Sequence, residues 1–382
     1  MKFTKKYFFE IFFFIIFIIL VPSYVPTLKE ILSEGGSADF QWYPAKCAFQ
    51  GINHYESYLA ADGKCKIFLS QIGEYAQGFY IFIFPFTFFE WGLAKVLWFV
   101  FNAILLILTC YLLCKKFELD KISTLLIIFF IFFCISARIH FIMGQQAIFV
   151  LFFLTLPFVY KSKFSTILSG ISYFKYNIGY ALFLLYLITK NYKNLFLSVL
   201  PCFFGWIIYC LITNSNLLLN IFQPLELLKL NLSLGGNLNK VYLFSIFKYI
   251  NFFSEITKYF LIIIFTLLFN FYFIKKISKV SNDLLKLSFL CLLIFISTPH
   301  FTHDNIILIP LLIYTIKYYK YNLFLFRINL FVCVYFLHFY KGLQSYFQNL
   351  NILALMFPYI DIFLIILVLS LNLNFYFKKK FN

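Results

Sequence analysis

The chain has 382 residues, of which 63% are hydrophobic and only 12% are charged, and its mean hydropathy is +0.88. Apolar runs such as Phe8–Leu20 and Leu125–Cys134 exclude a soluble globular protein. The net charge of +17 does not indicate nucleic-acid binding, because the lysines cluster at the ends of apolar segments, as the positive-inside rule predicts. We therefore predict an all-α polytopic membrane protein.

The first apolar segment, near residues 7–25, is expected to remain in the membrane as an uncleaved helix, because Pro22–Pro26 offers no small-residue cleavage pattern. A long loop over residues 26–78 follows and is rich in acids, which predicts that it faces the periplasm. Residues 79–89 are apolar but short and contain Pro85. They predict an interfacial or re-entrant helix at the same face.

The lysine clusters divide the chain into about 12 transmembrane or partly spanning helices, with both termini in the cytoplasm. The later spans are expected near residues 93–114, 122–136, 146–160, 195–213, 259–274, 284–298, 306–316, 323–340 and 352–377. Residues 164–189 are long for one span, and Lys175-Tyr176-Asn177 interrupts them, which predicts two short helices that meet at a polar pocket. Residues 214–248 form a second periplasmic loop, and residues 1–382 make a single integral membrane domain.

Two cysteines, Cys47 and Cys65, share the first loop, where an oxidising compartment would allow a disulfide. We predict that they pair, with two free thiols as the alternative. The other cysteines lie within or beside apolar spans and behave there as small hydrophobic residues. Since the chain has no CxxC motif and no His/Cys cluster, we expect neither a metal nor a cofactor.

The first loop contains the strongest candidate for chemistry, Asp39. A carboxylate at the boundary between membrane and water is desolvated on one side and supplied with protons on the other, which suits a general base. The nearby Asn53, His54 and Tyr55 are the kinds of aromatic and hydrogen-bonding groups that hold sugars. The alternative is that Asp39 only caps a helix that begins near Phe40.

Further polar residues map to the same outer ends of the spans. They are Arg138, His140, Gln145, Lys175, Asn231, His303 and Asp304. Lys175 is a candidate because a lysine inside apolar sequence marks a functional site, although Lys175 and Arg138 are also able to anchor their helices by snorkelling. The alternative for Gln145 is that its amide only makes hydrogen bonds to backbone groups at the entrance of a span. An acid beside several cations suits a substrate with a phosphate head and a lipid tail.

These motifs, in this order, resemble glycosyltransferase family 87 (also called DUF2029), a polyprenol-phosphate-dependent, mannosyltransferase-like group with a GT-C fold. Asp39 followed by Gly51-Ile52-Asn53-His54-Tyr55 resembles the family's first-loop acid and its G-x-N-P-Y element, with His54 in place of proline. Gly144-Gln145-Gln146-Ala147 resembles G-Q-x-N, and Phe174-Lys175-Tyr176 resembles I-K-P. Asn231-Leu232-Ser233 resembles N-x-S, and Thr298-Pro299 through His303-Asp304 resembles the S-P…H turn.

The resemblance implies a metal-independent, inverting transfer of one sugar, a hexose such as mannose or a pentose. The donor would be a polyprenyl-phosphate sugar, the acceptor would be lipid- or glycan-linked, and the site would face the periplasm of a bacterial inner membrane. Asp39 would be the general base, and Lys175, Arg138 and His303 would stabilise the charge on the departing phosphate.

Two alternatives remain open at this point. A transporter or flippase of a lipid-linked glycan would use the same cationic pocket without a base, but it would need polar groups along the whole depth of its spans. A catalytically silent member of the family would serve as an assembly scaffold.

Overall fold

The computed structural model describes residues 22, 24–69, 71–233, 255–298, 301–318, 322–340 and 351–381. Most residues in these ranges are helical and none lies in a strand, which confirms the predicted all-α class. The predicted first span lies almost entirely outside the described residues, and so do Pro299 and His300.

The helices are numbered in chain order. They are α1 (24–32), α2 (Trp42–Phe49), α3 (His54–Ala60), α4 (Gln77–Ile83), α5 (Trp91–Lys116), α6 (Lys121–Phe132), α7 (Ile135–Met143), α8 (Ala147–Val159), α9 (Lys163–Ser169), α10 (Tyr176–Ile188), α11 (Tyr192–Thr213), α12 (Leu217–Asn220), α13 (Gln223–Ser233), α14 (Glu255–Ile277), α15 (Asp283–Ser297), α16 (Ile309–Tyr318), α17 (Leu323–Val334) and α18 (Asn351–Phe381). Short 3-10 segments cover Phe84–Phe88, Gly170–Phe174 and Thr302–Leu308, and a π-helical segment covers Tyr335–Phe339.

Two of the described helices, α5 and α11, are long and apolar enough to cross a membrane. The pair α6 and α7 would make a third crossing, bent by 52° at the break between the two helices. Shorter apolar helices include α8 and α10. A membrane protein is therefore supported, while the count of about 12 spans stays a prediction.

The helices place their ends on two opposite faces. On one face, Lys161 forms an ion pair with Asp283 at 2.9 Å, and Lys317 donates a hydrogen bond to the Glu118 carbonyl oxygen at 3.0 Å. We call this the lysine-rich face. From it, α15 runs to Ser297 at the opposite face, and from that opposite face α16 returns to the lysines.

The interrupted segment predicted around Lys175 is present. Helix α9 tightens into a 3-10 segment that ends at Phe174, and α10 begins afresh at Tyr176. The tightening occurs where the backbone passes close to α11. A Cβ atom on Gly170 would lie 1.8 Å from the Ser198 carbonyl oxygen, so only glycine fits there. The break leaves Lys175 outside regular structure between two short helices.

The first loop folds into short helices that a disulfide ties together. Cys47, in α2, is bonded to Cys65, with 5.9 Å between their Cα atoms, which confirms the predicted pairing. Both residues are buried, and the Cys65 sulfur lies 3.5 Å from the Tyr58 hydroxyl. The bridge therefore restrains the segment that follows Asp39.

Replacing both bridge cysteines by serine (Cys47→Ser with Cys65→Ser) should lower stability by about 3 kcal/mol, because the disulfide closes a loop whose ends are 18 residues apart. A lower thermal midpoint in detergent is expected, with the partly buried thiol variant Cys202→Ser as the control. An unchanged midpoint, together with free thiols at both positions in unreduced peptides, would contradict the prediction.

Candidate active site

Asp39 lies in a turn that the α7–α8 connection holds in place. The backbone N–H of Ser37 donates to the Ile142 carbonyl at 2.7 Å, and that of Asp39 donates to the Met143 carbonyl at 2.9 Å. The Asp39 carboxylate accepts a hydrogen bond from Gln145 Nε2 at 2.5 Å. Gln41, the residue that precedes α2, makes no side-chain cap bond. Asp39 therefore bonds to the neighbouring turn.

The turn at Gly144-Gln145-Gln146 is shaped for this contact. Gly144 has a φ of +67°, and an added Cβ atom would lie 2.9 Å from the Ser37 Cβ, so the close approach of the two turns requires glycine. Trp98 Nε1 donates to the Gly144 carbonyl at 2.9 Å. Gln146 Nε2 donates to the Asp39 carbonyl at 2.7 Å. The carboxylate itself stays partly exposed, as a group that must exchange protons requires.

Lys175 forms a buried ion pair with Asp304. The Lys175 Nζ lies 2.8 Å from Asp304 Oδ1, and the two side chains are only 9% and 3% exposed. The backbone N–H of Phe301 donates to the other carboxylate oxygen at 3.1 Å, and His303 Nε2 lies 3.7 Å from that oxygen. Burial alone would raise the pKa of Asp304, but the charges of Lys175 and His303 outweigh it and hold the pKa below its usual range. Asp304 is therefore an anion that orients Lys175.

Two residues that the motifs did not single out connect these groups. Tyr75 donates its hydroxyl to Gln146 Oε1 at 2.6 Å and lies within electrostatic reach of both Asp39 and Asp304. His140, which is 1% exposed, lies within electrostatic reach of Lys175 and Asp304. The sequence placed His140 at this face without a role in the site, whereas Tyr75 had no signal beyond its place in the polar loop.

Asn53, His54 and Tyr55 form a buried layer behind Tyr75 and have no described contact with Asp39. Tyr55 donates its hydroxyl to the Tyr75 carbonyl at 2.5 Å. The Tyr209 hydroxyl oxygen lies 2.9 Å from His54 Nδ1 and 3.2 Å from Asn53 Oδ1. All three residues are buried, so their described contacts support the loop from behind.

Arg138 and Asn231 are the two remaining residues of the predicted site. Arg138 is half-buried and acts electrostatically on Tyr24 and His338, on the far side of α7 from His140. Asn231 lies in α13, and its side chain is outside the described part of the structure.

The arrangement separates two chemical functions. A partly exposed carboxylate, positioned by an amide, is suited to take a proton from a hydroxyl group. A buried ammonium, accompanied by histidines, is suited to stabilise negative charge that develops on a bound group. The described residues contain no group of three or more potential metal ligands.

A comparison with protein families finds a match in the central part of the chain. Residues 75–225 match the model of glycosyltransferase family 87. The match confirms the resemblance found in the motifs and implies a membrane glycosyltransferase. Gln145 and Lys175 lie within the family 87 match, whereas Asp39 and Asp304 lie on either side of it. No curated protein and no solved structure matches the chain.

Acid should destabilise the fold through His54. Burial lowers the pKa of His54 from 6.5 to about 3, against a smaller upward effect of its bond to the Gly73 carbonyl. Between these two values the unfolded chain binds a proton that the folded chain does not, so His54 lowers stability by about 1.4 kcal/mol for each pH unit of acidification. The variant His54→Gln should show a shallower fall of the thermal midpoint between about pH 6.5 and pH 4. Equal slopes in the two proteins would contradict this prediction.

Proposed function

We propose that the protein transfers a sugar from a polyprenyl-phosphate donor to a hydroxyl group of a lipid- or glycan-linked acceptor. The observation that carries the proposal is the placement of Asp39 and Lys175 at one face of a family 87 glycosyltransferase. The first is a positioned, partly exposed base, and the second is a buried cation for a phosphate. With the lysine-rich face in the cytoplasm, this face lies on the periplasmic side of a bacterial inner membrane.

The reaction is a single displacement within a GT-C fold. Asp39 accepts the proton of the acceptor hydroxyl while the hydroxyl oxygen attacks the anomeric carbon. The bond from that carbon to the phosphate oxygen breaks, and the polyprenyl phosphate leaves with the electron pair, which inverts the anomeric centre. Gln145 keeps the carboxylate aimed at the hydroxyl by donating to one of its oxygens.

The departing phosphate needs positive charge, which Lys175 and His303 supply. The Lys175 ammonium has three N–H donors, and its bond to Asp304 uses one of them. Asp304 therefore positions Lys175 and leaves donors for the phosphate. We assign Asn53, His54 and Tyr55 to the sugar end of the site, where the Tyr55 hydroxyl holds the Tyr75 backbone. Substrate binding by Arg138 and Asn231 stays a prediction.

The variant Asp39→Asn should fold, insert and bind donor normally but transfer sugar at least about 100-fold more slowly. The reason is that a positioned base contributes about 10²–10⁴-fold to a rate. The asparagine oxygen still accepts from Gln145, so the turn keeps its shape and only proton acceptance is lost. The measurement is the release of polyprenyl phosphate under single-turnover conditions.

Glu30→Gln is the matched control for Asp39→Asn, because it removes one carboxylate from an exposed position in the same loop. It should transfer at the wild-type rate. A near-normal rate in Asp39→Asn would show that the base is another group, and Glu56 and Asp304 would be the next to test.

Lys175→Met and Asp304→Asn separate the charge of Lys175 from the stability of its ion pair. Each variant breaks the buried pair, which costs about 3–5 kcal/mol, so both should unfold at lower temperature. Only Lys175→Met removes the cation. Its affinity for a prenyl phosphate should fall at least about tenfold, a loss of about 1.4 kcal/mol. Asp304→Asn should bind the same lipid as well as the wild type or more tightly. Equal loss in both variants would show that the pair only supports the fold.

A further inference from the structure

A cavity of about 430 Å³ opens at the lysine-rich face, away from Asp39. It lies where four helices end, between the start of α15, the end of α16, the start of α17 and the last part of α18. Its volume is within the range of about 300–1,000 Å³ that is typical of small-molecule sites.

A pair of amides, Asn329 and Asn372, lies at the inner end of the cavity. Each donates to the side-chain oxygen of the other, at 3.1 Å and 2.8 Å, and Asn372 also donates to the Val368 carbonyl. Asn329 thus uses one of its two N–H donors and accepts one bond, so a donor and a lone pair are left for a ligand. Polar side chains buried between membrane helices commonly hold helices together, which is the competing role for this pair.

Aromatic rings and hydroxyl groups form the walls and the rim. The rings of Tyr314 and Tyr318 pack at a tilt of 42°, with their centroids 4.9 Å apart, and Phe375 lies on the opposing helix. At the rim, the Ser281 backbone N–H donates to the Tyr376 hydroxyl at 2.8 Å. All the described residues that line the cavity are uncharged. Such a surface does not select a phosphate or a carboxylate, but its amides suit hydroxyl groups and its ring faces suit the C–H face of a sugar.

The cavity is separate from the candidate active site. Helix α15 has 15 residues from Asp283, beside the cavity, to Ser297, near the Asp304 turn. At 1.5 Å per residue these two ends lie about 21 Å apart. A ligand in the cavity therefore cannot be the acceptor that meets Asp39.

We propose that this cavity is a second carbohydrate site, which binds a neutral glycosyl ring at the lysine-rich face. The ring is either that of a free sugar or the head group of a glycolipid. The ring lies between Tyr314 and Phe375, and its hydroxyl groups bond to Asn329. Binding there does not require transfer chemistry.

The test uses the full chain in phosphatidylglycerol nanodiscs, because glucoside and maltoside detergents would themselves occupy such a site. Binding of radiolabelled methyl glucoside and methyl mannoside is measured by equilibrium dialysis. The variants are Phe375→Leu, which removes one ring face, and the double change Asn329→Leu with Asn372→Leu. Asp39→Asn is the control for the candidate active site. A second set of nanodiscs contains monoglucosyl-diacylglycerol in addition.

Saturable binding of at least one glycoside is expected, and it should weaken about tenfold in the amide variant, a change of about 1.4 kcal/mol. Phe375→Leu should weaken glycoside binding several-fold. This variant tests the cavity even if the amide variant does not fold. Asp39→Asn should bind like the wild type. Competition by the glucolipid identifies a lipid head group as the ligand, and its absence identifies a free sugar.

Three results would overturn the proposal of a second carbohydrate site. They are no saturable binding of either glycoside, wild-type affinity in both cavity variants, and loss of binding in Asp39→Asn. The last result would place the sugar in the candidate active site and leave the proposed transferase function intact.

Discussion

The ion pair between Lys175 and Asp304 is the interaction on which the site depends. Removing an ammonium and a carboxylate from water costs several kcal/mol per ion, and only close geometry with further hydrogen bonds offsets this cost. Asp304 meets the requirement with Lys175 on one oxygen and the Phe301 N–H on the other. The pair therefore fixes two irregular segments against each other, the break before α10 and the 3-10 turn before α16.

The same requirement explains why the break in the helix is at Lys175. A continuous helix through residues 163–188 would keep the lysine on a lipid- or protein-facing surface at one fixed angle. The 3-10 segment and the new start at Tyr176 release the backbone, so that the side chain can reach Asp304. Asp39 is held differently, by amide and backbone hydrogen bonds that leave its carboxylate partly exposed. The site thus combines a partly exposed carboxylate with a buried ammonium group.

Sequence reasoning located features whose signal lies in local contrast. The lysine in an apolar run predicted the helix break. The two cysteines in one polar loop predicted the disulfide, and the spacing of the lysine clusters predicted the two faces. The family resemblance, confirmed over residues 75–225, came from short motifs in a fixed order. None of these required knowledge of side-chain direction.

Features that depend on helix phase were not predictable in the same way. Arg138 and His140 are two residues apart on α7, which turns them by about 200°, onto opposite sides of the helix. His140 therefore lies near Lys175, and Arg138 lies near Tyr24 and His338. The burial of His54 and the bond from Gln145 to Asp39 depend on how separate segments pack, which neither composition nor periodicity contains.

The most direct test of the account is to supply the purified protein, in nanodiscs, with a panel of polyprenyl-phosphate sugars and candidate lipid-linked acceptors. Mass spectrometry would follow release of polyprenyl phosphate, and NMR would report the anomeric configuration of the product. The account predicts turnover with at least one lipid-phosphate donor and an inverted anomeric centre. Transfer with retention, or turnover only with nucleotide sugars, would contradict it.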